Sequence, residues 1–109
     1  MIFTTTNNVE GHEITSYIRV IAGETVTGIN FLKDLGASLR SFTGGRSAGY
    51  EDEAVKARES ALNELWNRGA ELGADAVVGI AFDYSPMGAN NDMLMVTATG
   101  TAVKLRPLN

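Results

Sequence analysis

The sequence predicts an α+β fold in two layers, an antiparallel sheet with one long helix and one short helix. Three observations lead there: β-branched and aromatic runs near both ends of the chain, one long stretch with helical apolar spacing, and a turn-rich segment between two further β-type runs. At 109 residues the chain has enough apolar material for one core and too little for two, so residues 1–109 form one domain.

The elements follow in order. Residues 2–6 (Ile-Phe-Thr-Thr-Thr) and 13–22 are rich in β-formers and bounded by Asn7-Asn8 and Gly23, so each is a strand, and a third short strand follows over Glu24–Gly28. In the second strand Ile14, Ile18, Val20 and Ala22 alternate with Tyr17, Arg19 and Ile21, so that neither face is wholly polar. Phe31, Leu32, Leu35, Leu39 and Phe42 recur every three to four positions behind Asn30, a helix N-cap, and define the short helix.

The long helix spans Tyr50 to Leu72, with Ala54, Val55, Ala61, Leu62, Leu65, Trp66, Gly69 and Leu72 as its apolar stripe. Glu51, Asp52 and Glu53 suit the positive end of its dipole, Arg68 the negative end, and Gly73 stands where a left-handed cap belongs. Asp52/Lys56 and Glu64/Arg68 have the spacing of ion pairs on its exposed face. Ala76–Tyr84 and Met93–Leu105 then form an antiparallel hairpin across the turn residues Ser85–Asp92. On the last strand Leu94, Val96, Ala98 and Ala102 share one face, and Met93, Met95, Thr97, Thr99, Thr101 and Val103 share the other. One helix covers one face of a small sheet, so the opposite face needs a second copy of the chain or the short helix upon it.

Composition removes whole classes of function. The 44% hydrophobic and 20% charged content is that of a globular protein, and a net charge of −4 gives no long-range pull toward nucleic acid or anionic lipid. With no cysteine there is no disulfide, thiolate metal site or thiol nucleophile. The first residues lack a basic and apolar leader, and the apolar run Ala76–Phe82 is too short to cross a bilayer, so a cytoplasmic protein with no membrane or nucleic-acid partner is expected.

The blocks Gly44-Gly45-Arg46-Ser47, Tyr50-Glu51, Leu72-Gly73-Ala74-Asp75-Ala76-Val77-Val78-Gly79-Ile80, Met93-Leu94-Met95-Val96 and Gly100-Thr101-Ala102-Val103, in this order, resemble the YbjQ family over nearly the whole chain. That resemblance implies a dodecin-like β-α-β-β unit assembled as a homopentameric ring. It also carries a heavy-metal-binding label without an established activity.

Candidate sites are few. Gly44, Gly45, Arg46 and Ser47 run into a helix N-terminus, whose free N–H groups could hold a small anion beside the Arg46 guanidinium, with Tyr50 within the same turn. The alternative role there is Ser47 as helix cap and Arg46 in a subunit contact. His12 with Glu10 and Glu13 resembles part of a divalent metal site, yet neighbours on a strand point apart, so an exposed turn histidine is expected and no metal ligand is assigned. Asp75, Asp83 and Asp92 sit at strand ends or in turns, where carboxylates usually face water or brace a turn. Trp66 is expected in the core, and Met93 and Met95, two apart on one face, in an apolar subunit contact or a soft-metal ladder. No nucleophile or base pair stands out, so no catalytic residue and no cofactor is assigned. The expectation is an assembly module binding a small anionic ligand or ion, with divalent-metal binding or an enzyme using the Gly44–Gly49 loop as alternatives.

Overall fold

The computed structural model describes residues 1–28, 48–89 and 93–109. Strands β1 (Ile2–Phe3), β2 (His12–Gly28), β3 (Ala76–Met87) and β4 (Met93–Pro107) form one sheet in the order β1-β3-β4-β2, and helix α1 (Ala48–Glu71) lies on one face. The expected short helix over 31–42 lies outside the described residues.

The hairpin of β3 and β4 is antiparallel as expected and longer at its tip, running out to the pair Met87/Met93. Two features depart from a plain antiparallel sheet. β1 pairs with β3 in parallel, Ile2 opposite Ala76 and Phe3 opposite Val77, which the long crossover through β2 and α1 permits. The expected strands 13–22 and 24–28 are a single strand of 17 residues, with bulges between Ile14 and Ser16 and between Tyr17 and Arg19. Between the bulges Tyr17 joins the face of Ile14 and Ile18 packs on the helix-side core, the reverse of the expected alternation. Beyond them Val20 and Ala22 share one face and Arg19 and Ile21 the other as expected, with Ile21 in the core and Val20 68% exposed. The expected strand 2–6 keeps its hydrogen bonds to β3 beyond Phe3, as Thr4 N–H donates to Val77 O (3.1 Å), Ile80 N–H to Thr4 O (3.2 Å) and Gly79 N–H to Thr6 O (2.8 Å).

Gly79, at φ 63°, sits in a bulge of β3 between Val78 and Ala81. Because of this extra residue Val77, Ile80 and Phe82 all face α1.

The core lies between α1 and the sheet, where Ala57, Ala61 and Leu65 meet Ile21, Val77, Ile80, Leu94, Val96, Ala98 and Ala102. Full burial of Leu65, Val77 and Val96 contributes about 1.5–3 kcal/mol each. The contact line on α1 is Ala57, Ala61, Leu65 and Gly69, narrower and smaller than the expected stripe, which omitted Ala57. Val55, Trp66 and Leu72 lie on its flanks, 43%, 39% and 38% exposed. The small Ala57, Ala61 and Gly69 on this line let the helix sit close to the strands around the one large buried side chain, Leu65, and the bulky flanking side chains then remain outside.

α1 ends as expected. Gly73 has φ 70°, its N–H donates to Ala70 O (3.0 Å), and Ala74 N–H donates to Gly69 O (3.1 Å), which together make a Schellman cap. The expected i,i+4 ion pairs are replaced by others: Lys56 reaches Glu53 (3.7 Å), and Arg68 leaves its own helix for Glu24 (3.4 Å) and the carbonyl of Ala22 on β2. Arg68 Nη1 thus donates to a strand carbonyl and reaches a strand carboxylate at once, tying the end of α1 to β2.

A second, smaller cluster occupies the sheet face away from the helix. Ala76, Val78 and Val103 are buried there under Val9, Ile14 and Leu105, so the N-terminal segment covers the base of that face.

Candidate functional site

Gly44, Gly45, Arg46 and Ser47 lie outside the described residues, as does Asp92. Tyr50 belongs to the first turn of α1, and Ala48 and Gly49 are already helical, so the expected loop Gly44–Gly49 is shorter at its C-terminal end.

His12 opens β2, partly buried, where a turn was expected, because the turn closes just before it with His12 N–H donating to Val9 O (3.1 Å). Its Nδ1 lies 3.1 Å from Glu10 O, and Glu13 pairs with Arg106 across the sheet. Among the described residues no three His, Cys, Asp or Glu side chains converge on a common point.

Asp75 is a structural latch. Its carboxylate accepts the Leu105 N–H (2.8 Å) and lies 3.4 Å from Lys104 Nζ, while its backbone bonds Ile2 and Val103. The Leu105 hydrogen bond first, and then Lys104, hold its pKa below the usual 3.8. Asp83 accepts the Ser85 hydroxyl at 3.1 Å. These two carboxylates therefore have separate partners and do not form an acid–base pair. Trp66, expected in the core, stands at its margin with its ring edge-on to Phe3 at 5.1 Å, because α1 turns its small residues inward.

Two concave regions flank the helix. A cleft of about 530 Å³ opens between β2 and the last turn of α1, lined by Arg19, Val20, Ala22, Arg68, Glu71 and Leu72 among others. Arg68 Nη1 is engaged by Ala22 and Glu24, so this side chain braces the cleft. On the other flank an almost wholly apolar groove of about 240 Å³ runs beside β3, lined by Phe3, Thr4, Thr5, Leu62, Ile80 and Phe82. Sequence reasoning missed this groove, because it depends on how far α1 is displaced toward β2 and β4.

The sheet face away from α1 holds a further grouping. Met87 stands directly opposite Met93 in the hairpin, and Met95 follows two residues along the same face. The pairing of Met93 and Met95 on one face was legible in the sequence, whereas Met87 was not. Its signal was its position mirroring Met93 about the hairpin turn.

A profile of the YbjQ family, described as "Putative heavy-metal-binding", matches residues 1–106. A UPF0145 protein of Listeria welshimeri is 55% identical over 103 residues, covering 94% of each chain, and a UPF0145 protein of Listeria monocytogenes matches to the same extent. A solved structure from Pediococcus pentosaceus, a DUF74 family protein of unknown function, superposes with a TM-score of 0.66 at 15% identity, covering 97% of this chain and 98% of that one. At that identity the likeness is one of fold.

Proposed function

Since the chain belongs to the YbjQ family, we propose that it is the repeating unit of a dodecin-like homo-oligomeric ring of five copies, a cytoplasmic assembly module that binds a small anionic ligand or ion where subunits meet. The observation that carries this reading is the open edge of β3. From Ala81 to Met87 this edge pairs with no strand among the described residues, and the apolar groove of Phe3, Leu62, Ile80 and Phe82 lies beside it. An unpaired edge next to an apolar groove favours addition of a strand, because the incoming backbone satisfies the edge while its side chains fill the groove.

A second copy of this chain offers such a strand. β2 is the opposite edge of the sheet, carries no proline over its 17 residues, and pairs on its outer side with no strand among the described residues, Arg68 taking only the Ala22 carbonyl. Joining one edge to a different edge is a head-to-tail contact, and such contacts close into rings when the rotation suits. The molecule's extents of 59 × 27 × 17 Å also suit a side-by-side arrangement of long protomers.

Native mass spectrometry of the full chain, then of the same sample denatured, tests the proposal. A mass near five times 11.6 kDa is expected. A stable monomer at micromolar concentration overturns it, and a stoichiometric extra mass lost on denaturation identifies the bound ligand. The ligand role of Gly44, Gly45, Arg46, Ser47 and Tyr50 rests on the sequence pattern and has its own test below.

A further inference from the structure

We infer that Met87, Met93 and Met95 form a thioether site for a soft monovalent metal ion, Cu(I), with Ag(I) as its redox-inert analogue. The site is independent of the assembly reading, since all three residues come from one hairpin of one chain.

The geometry follows from register. Met87 and Met93 are direct cross-strand partners, which sets their Cβ atoms about 4.5–5.5 Å apart, and Met95 is the diagonal neighbour of Met87 at about 7–8 Å. Each side chain then has three rotatable bonds with which to bring its sulfur to a shared point above the sheet. Register thus puts three thioethers from two adjacent strands on one side within reach of a common point, and three is a coordination number that soft d¹⁰ ions accept readily.

The surroundings favour accessible sulfur over packed sulfur. Met87 and Met93 are 38% and 39% exposed. The second strand neighbour of Met93 is Gly28, which has no side chain, and the β3 neighbour of Met95 is the small Ser85. The N-terminal segment that covers the other end of this face packs on Val78 and Val103. Val26, opposite Met95, supplies the apolar wall that disfavours hydrated cations.

The chemistry selects the ion. Thioether sulfur is neutral, polarisable and unprotonated at any physiological pH, so it holds Cu(I) or Ag(I) and competes poorly with water for Mg²⁺, Ca²⁺ or Zn²⁺. No redox step is involved, and the ion is bound as it arrives. Because no cysteine is present and no imidazole lies on this hairpin, binding at the three sulfurs should not change between pH 6 and 8.

The test uses the chain's own control. Of its four methionines Met1 lies against Gly69 beside Val77, at the end of the hairpin opposite the tip that carries the other three. In full-length protein carrying ¹³C-methyl methionine, Ag(I) titrated under chloride-free conditions should shift three methyl signals, saturate at one ion per chain, and leave the Met1 signal in place. Anaerobic competition with a Cu(I) chelator should give the same stoichiometry. The triple variant Met87→Leu/Met93→Leu/Met95→Leu keeps apolar volume and should keep its native mass while losing at least about tenfold in affinity. If it fails to fold, Met93→Leu alone should lose about tenfold. Absent shifts at tenfold excess of Ag(I), equal movement of the Met1 signal, or unchanged affinity in the leucine variants would overturn the site. A subunit contact alone would leave Ag(I) affinity indifferent to leucine.

Discussion

Gly23 lies directly beneath Ala61: a Cβ built on Gly23 would stand 2.4 Å from the Ala61 carbonyl oxygen and 2.6 Å from the Leu65 amide nitrogen. Both are backbone atoms of α1, so the clash has no flexible side chain to absorb it. Gly23→Ala should therefore push the helix off the sheet and cost about 1–3 kcal/mol. Urea unfolding followed by circular dichroism measures this, with a lower midpoint and an unchanged slope expected.

Asp75 ties β1, β3 and β4 at one point, and the Leu105 N–H and Lys104 both favour its ionised form. Its folded pKa is depressed, so the stability it contributes is present above the ordinary value of 3.8 and is lost as pH falls through the lower folded value. Asp75→Asn should be less stable than the parent at pH 7, and the difference should begin to narrow as pH falls toward 3.8 and close only beneath the lower folded value. Melting curves taken from pH 3 to pH 7 show whether the two converge.

Tyr84 stands on the α1 side of β3, opposite the buried Val96, and is 44% exposed on the strand edge that pairs with nothing among the described residues. Tyr84→Lys places a charge where an added strand would lie, the device by which natural edges resist pairing. The variant should keep its far-ultraviolet spectrum and shift from oligomer to monomer in sedimentation. An unchanged oligomer would remove this edge from the contact.

Arg46 is the one strong donor in the Gly44–Ser47 segment. If an anion is held there, Arg46→Ala should weaken inorganic phosphate binding about tenfold, in line with loss of a charge-assisted hydrogen bond, without changing the native mass. Calorimetry with phosphate measures the first, and loss of assembly without a change in affinity would return Arg46 to a subunit contact.

The long elements were legible because their signals are local. α1 announced itself by charge at both ends and by Gly73, and the two faces of β4 were read correctly from alternation alone. What failed was whatever depended on a neighbour. Gly23 looked like a strand boundary and is instead mid-strand, since its missing side chain serves the helix above it. Trp66 looked like core, because periodicity gives the direction of a stripe and not its width. At the candidate sites, Met93 and Met95 could be paired from spacing, but Met87 needed the hairpin register, and the apolar groove needed the lateral placement of α1.

The bulge at Gly79 divides β3 into two stretches of opposite parity. Before it, odd-numbered Val77 points toward the helix; after it, even-numbered Ile80, Phe82 and Tyr84 do. Loss of Gly79 itself would remove the extra residue and leave Val77, Ile80 and Phe82 facing the helix in plain alternation, whereas loss of Ala81, beyond the bulge, would transpose the rest of the strand, turning Asp83 inward and sending Phe82 to the far side. This hairpin should thus tolerate many conservative replacements and, away from the bulge, almost no one-residue deletion within β3. Natural variation in length should collect at its turn instead, where the count of residues sets no side chain's direction.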